Sequence, residues 1–110
     1  MNHRALFLQH LAQTTDFPLL IEVDKAEGIY LHGPNGEKYI DLIAGIGVSN
    51  VGHRHPKVLE AIQKQLDKYL HLMVYGEYVQ SPQTLLAKAL TDTLPEPLDN
   101  VYLVNSGSEA

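Results

Sequence analysis

The chain has 110 residues, 45% of them hydrophobic and 19% charged, with a formal charge of −5. That is room for one small domain and too little for two, and a net acidic chain without a Lys/Arg cluster argues against nucleic acid as a partner. The absence of cysteine removes disulfides, zinc–thiolate sites and thiol nucleophiles from consideration.

At the start, "MNHRALFLQHLAQTT" has only short apolar runs, broken by Gln9 and His10, which speaks against a signal peptide. No stretch approaches the about 18 consecutive apolar residues of a membrane span, so no membrane partner is expected and a cytoplasmic location fits. Ala5, Leu8, Leu11 and Ala12 recur at helical spacing and predict a short helix within 2–14. Residues 19–43 read as an antiparallel meander. Its strands are "LLIEVDK", "GIYLH" and "KYIDLI" (Lys38–Ile43), and "GPNG" (Gly33–Gly36) turns the second into the third. Asn35-Gly36 supplies the positive φ that tight hairpins need.

"AGIGVSNVGHRHP" (Ala44–Pro56) reads as a loop, because Gly45, Gly47 and Gly52 interrupt any regular element. Pro56 suits a first helical position. Val58, Ile62, Leu66 and Tyr69 then share one face of a helix over about 56–70. "HLMVYGEYVQ" is aromatic and irregular. Ser81 as N-cap and Pro82 at the first position predict another helix, with Leu85, Leu86, Ala89 and Leu90 on its apolar face. Pro95 and Pro97 stop it. "VYLV" (Val101–Val104) reads as a strand for a sheet covered on both faces.

The last residues, "NSGSEA", follow that strand as a glycine-bearing turn into a helix start. Free backbone N–H groups and the helix dipole favour a phosphate at such a place. Ser106 and Ser108 add hydroxyl donors, and Gly107 permits close approach. Ser106 and Glu109 also have the S-x-x-E spacing of a capping box, which starts a helix with no ligand.

"EGIYLHGPNGEKYIDLIAGIGVSNVGHRHPKVLEAI", then "LAKAL", then "VYLVNSGSEA" resembles the N-terminal part of class III aminotransferases, fold-type I enzymes that use pyridoxal phosphate. Acetylornithine, ornithine and 4-aminobutyrate aminotransferases belong to this group. The resemblance runs from about Asp24 to Ala110. It implies an α+β fold, in which the N-terminal part of a small domain, a short meander plus helices, leads into the first strand of a large α/β cofactor domain. The boundary would fall near residue 80, giving 1–80 and 81–110. Ser106, Gly107 and Ser108 would hold the cofactor phosphate. Gly45, Ile46, Gly47 and Val48 would lie near the substrate, as would Tyr75 in "MVYGEY", at a homodimer interface. The substrates implied are an amino acid or ω-amine donor and a 2-oxo acid acceptor.

The chemistry of that family needs a lysine bonded to the cofactor aldehyde and an acid beside the pyridine nitrogen. In the family both lie downstream of the N-S-G-x-E-A turn. The lysines here, at 25, 38, 57, 64, 68 and 88, read as surface charges. The chain is therefore expected to be an inactive piece of a longer enzyme with no catalytic residue of its own. A self-associating or partner-binding module is the alternative. His53 and His55 in "GHRHP" invite a metal, but no carboxylate or cysteine lies near them in sequence. A turn and helix start with a histidine side chain hydrogen-bonded to backbone is the preferred reading, with no metal.

Overall fold

The computed structural model describes residues 2–73 and 76–110. They form two compact units, Met1–Lys68 and Tyr69–Ala110.

In the first unit, helix α1 (His3–His10) begins at Asn2, whose side-chain oxygen accepts the Ala5 N–H at 3.0 Å and satisfies one orphan donor. Three short antiparallel strands follow in the order β1 (Lys25–Glu27), β2 (Tyr30–His32) and β3 (Lys38–Ile40). Ala26 pairs with Leu31, and Leu31 with Tyr39. The hairpin between β2 and β3 turns at Gly33–Gly36 as its sequence requires. Gly33 N–H donates to the Glu37 carbonyl at 2.9 Å, and Gly36 has φ +90°. A Cβ on Gly33 would collide with the Glu37 carboxylate.

The first strand does not lie over Leu19–Lys25. Leu20 sits at φ +51°, which breaks extended backbone. The ladder begins only where Asp24 N–H reaches the His32 carbonyl at 2.9 Å. A run of apolar residues reads as a strand, but pairing decides where the strand is. The third strand likewise stops at Ile40 instead of Ile43, because Asp41 turns the chain.

Four residues, Ala44–Gly47, then make a single turn (α2) inside the segment that reads as a loop. Helix α3 (Pro56–Leu66) opens with proline at the predicted place and closes four residues earlier than 70. In the second unit, helix α4 (Ser81–Thr91) is capped by Gln80, not Ser81. Gln80 is buried, and its side-chain amide donates to the Met73 carbonyl at 2.5 Å.

Val101–Val104 forms no strand. Among the described residues none pairs with it, and Tyr102 is 90% exposed. Apolar composition alone cannot make a strand without a neighbour to receive its hydrogen bonds. Among the described residues no apolar side chain is buried. The apolar face of α3 (Val58, Ile62, Leu66) and that of α4 (Leu85, Leu86, Leu90) stand in solvent. No described helix is long and apolar enough to cross a membrane.

Candidate functional site

Asp41 organises the glycine-rich segment after β3. Its Oδ1 accepts the N–H groups of Ala44 at 2.9 Å and Ile43 at 3.2 Å, which ends the strand in an Asx-type turn. Its Oδ2 lies 2.7 Å from Nε2 of His53, twelve residues on. Both side chains are largely shielded, at 11% exposure for Asp41 and 22% for His53. The Ala44 N–H first, then the His53 ring, hold the Asp41 carboxyl below the usual carboxylate range, against the opposing effect of burial. His53 is also fixed through its backbone. It exchanges two hydrogen bonds with Gly28, at 2.7 and 3.0 Å. The histidine side chain of "GHRHP" that the sequence assigns to a backbone partner instead meets a carboxylate: the bonds between His53 and Gly28 run backbone to backbone, and the His53 ring contacts Asp41. Gly52 must be glycine here: its φ is +80°, and a Cβ would stand 3.0 Å from the Gly28 carbonyl oxygen.

Between these two anchors the backbone is left-handed over four successive residues. The φ values are +49° at Ala44, +64° at Gly45, +61° at Ile46 and +76° at Gly47. Val48 and Ser49 N–H groups both reach the Ala44 carbonyl at 2.9 Å. Glycines adopt this conformation freely. Ala44 and Ile46 do not, at a cost of about 1–2 kcal/mol each, and a β-branched residue at positive φ is a clear outlier. Ile46 is 91% exposed and Val48 78%, so neither gains burial in return. Strain of this kind persists where neighbouring bonds over-determine it, and it concentrates at functional sites. Of the residues implied to face substrate, Gly45, Ile46 and Gly47 therefore lie in one left-handed stretch, and Val48 follows it in right-handed backbone at φ −84°. Tyr75 lies outside the described residues.

The second candidate region is the turn at 105–109. The Glu109 N–H donates to the Ser106 carbonyl at 3.1 Å. The Glu109 carboxylate reaches back to accept the Asn105 N–H at 2.9 Å and the Ser106 hydroxyl at 3.1 Å. This is one half of a capping box, displaced by one residue: the carboxylate takes the Asn105 N–H, and the serine hydroxyl donates to it. The N–H groups of Ser106, Gly107 and Ser108 donate to no acceptor among the described residues. No heavy atom stands within 4 Å of where a Cβ on Gly107 would lie. Three successive free N–H donors beside the Ser108 hydroxyl suit a phosphate, while the Ser106 hydroxyl is engaged by Glu109.

The lysines are all exposed. Lys25 pairs with Glu27, Lys64 with Glu60 and Lys88 with Asp92, and Lys38 lies 3.7 Å over the Tyr30 ring. None has the enclosed setting that lowers a lysine's pKa for covalent chemistry. No group of three metal-ligating side chains gathers among the described residues.

A family model described as aminotransferase class-III matches residues 11–110. The acetylornithine aminotransferase of Methanocaldococcus jannaschii is 44% identical over 86 residues, covering 78% of this chain and 21% of that protein. Among solved structures, adenosylmethionine-8-amino-7-oxononanoate aminotransferase from Methanocaldococcus jannaschii matches with a TM-score of 0.83. It is 27% identical, over 97% of this chain and 26% of that one. Taurine:2-oxoglutarate aminotransferase from Bifidobacterium kashiwanohense, in complex with PLP and glutamate, matches with a TM-score of 0.71. It is 29% identical, over 82% of this chain and 20% of that one. The chain spans about a fifth to a quarter of the length of the first curated relatives.

Proposed function

Because this chain belongs to the class III aminotransferases, we propose that it supplies the entry portion of an enzyme of the relatives' length. That enzyme moves an amino group from an amino acid or ω-amine to a 2-oxo acid. The family match over residues 11–110 carries this reading. The free donors at Ser106, Gly107 and Ser108 support it in chemical detail. Pyridoxal phosphate, the family's cofactor, supplies when bound an aldehyde that takes up the amino group and a ring that draws off the developing negative charge.

The residues of this chain bind and orient. Ser106, Gly107 and Ser108 hold the phosphate through backbone N–H and hydroxyl donors. The Gly45–Val48 turn borders the substrate, with Tyr75 beside it at a homodimer interface. Residues 1–80 contribute to the small domain. Residues 81–110 begin the cofactor domain, where Val101–Val104 becomes a strand once neighbouring strands receive it.

Proton transfer and cofactor attachment fall to groups outside residues 1–110, since every lysine here is exposed. Purified 1–110, mixed with pyridoxal phosphate, an amino donor and a 2-oxo acid, is expected to give no turnover in a spectrophotometric assay. Measurable turnover would overturn that assignment of roles. Phosphate affinity is expected to be weak as well, because a turn without a helix body does not hold its donors in place. Micromolar cofactor binding by fluorescence would contradict this.

A second reading, self-association, is favoured by the exposed apolar face of α3 and by Tyr102. Sedimentation showing a monomer at high concentration counts against it.

A further inference from the structure

We infer that Asp41 and His53 are positioning residues. Their side-chain bond closes the loop from 42 to 52 and keeps Ala44–Gly47 in its left-handed turn, so that this stretch meets substrate with a preset backbone. The bearing on substrate rests on the functional reading above. The clamp itself does not, since it is a property of these residues alone.

Three observations carry the inference. The first is that the turn is strained at two residues and no side-chain burial inside it offsets the strain, which leaves only its own short-range hydrogen bonds to do so. Ile46 and Val48 are exposed, and the turn's internal bonds are four N–H contacts from residues 46–49 to the carbonyls of Ile43 and Ala44. The second is that one carboxylate touches both ends of the segment. Oδ1 of Asp41 fixes the entrance at Ile43 and Ala44, and Oδ2 fixes the exit at His53. The third is that the exit has its own footing. His53 exchanges two backbone bonds with Gly28, next to the strands, so the clamp ties the loop to the sheet and not merely to itself.

Within the turn, the Gly45 N–H and the Gly45, Ile46 and Gly47 carbonyls are engaged by no described residue. A preset left-handed turn offers these groups in one fixed arrangement. A relaxed loop of the same sequence would offer many, and ordering them would cost binding energy.

His53 is the titratable side chain that faces Asp41 among the described residues. Its Nε2 can donate both in the neutral Nε2–H tautomer and in the imidazolium. The aspartate accepts all three bonds, so the clamp depends on its remaining ionised.

The test is solution NMR on the 110-residue chain, following Ala44 and Ile46 backbone shifts and φ-sensitive couplings against pH. Tyr30, Ile40 and Ile62 serve as references in the sheet and α3. At neutral pH, Ala44 and Ile46 are expected to report positive φ. On acidification that signature is expected to be lost together with protonation of the Asp41 carboxylate, ahead of the reference residues. Asp41→Ala is expected to lose it at neutral pH. His53→Gln, whose amide can still donate to the carboxylate, is expected to retain it, while His53→Ala loses it. Asp41→Asn is expected to show no separate acid transition of the loop.

A wild-type chain without positive-φ signals at Ala44 and Ile46 overturns the inference. So does a loop that keeps them in Asp41→Ala, or one that changes only in step with the reference residues. None of these readouts involves turnover, so failure of the clamp is distinct from failure of the aminotransferase reading.

Discussion

The segment from Asp24 to His53 and the segment from Val101 to Ala110 each contain residues proposed for the site but are held in different ways. The first is laced by bonds between its own residues: a three-stranded ladder, the Gly28–His53 bridge and the Asp41–His53 contact. It holds even two strained residues in place. The second has a turn closed by Glu109 and an apolar run with no described neighbour. A site made of local bonds forms where those bonds are. A site on a sheet strand forms only where the sheet is.

This contrast can be broken most forcefully at Gly52. Gly52→Val places a side chain against the Gly28 carbonyl and demands φ +80° of a β-branched residue. It is expected to destabilise the first unit by about 3 kcal/mol. Chemical denaturation followed by a probe in the β2–β3 hairpin measures it. A variant as stable as wild type would mean that the bridge does not tie the loop to the sheet.

Acid is a milder probe of the same region. The Asp41 carboxyl is held below its ordinary value of 3.8. A carboxyl lowered in the folded state contributes stability that is complete above the unfolded value and is lost as pH falls through the folded one. Protection of the Val48 and Ser49 N–H groups against hydrogen exchange, taken relative to the intrinsic rate at each pH, is therefore expected to hold at neutral pH and to fall below about pH 3.8. Loss of protection already well above that pH would contradict control by Asp41.

The smallest effect belongs to the other region. Tyr102→Ala removes a side chain that is already in water, and the stability of the chain is expected to change by less than about 0.5 kcal/mol. A loss of 2 kcal/mol or so, typical of a truncated core residue, would show that Val101–Val104 packs on something after all.

What could be read from the sequence follows the same division. The Gly33–Gly36 turn, the start of α3 at Pro56 and the position of α4 were legible because each is decided within four or five residues. β1 was displaced, from Leu19–Lys25 to Lys25–Glu27, since pairing with β2 sets it and hydrophobicity does not. Val101–Val104 has strand composition and no strand for the same reason. The Asp41–His53 contact was not legible, because the two residues are twelve apart and meet only through the fold of the loop. One signal was available. An aspartate closing a strand just before "LIAG" is placed to accept the next free N–H groups, as Asp41 does with Ile43 and Ala44. Family resemblance supplied the roles of Ser106–Ser108 and Gly45–Val48. The structure adds that the first group has N–H donors with no described acceptor, and that Gly45, Ile46 and Gly47 of the second lie in a left-handed stretch that Val48 closes at φ −84°.

The most direct measurement is an NMR titration of the 110-residue chain with pyridoxal phosphate, with inorganic phosphate alongside to isolate the phosphate's contribution. Amide shifts are expected to move at Ser106, Gly107 and Ser108, with weak, millimolar affinity, and with both ligands. No movement at these three amides at saturating ligand, or movement confined to other residues, would contradict the assignment of the turn as the phosphate site.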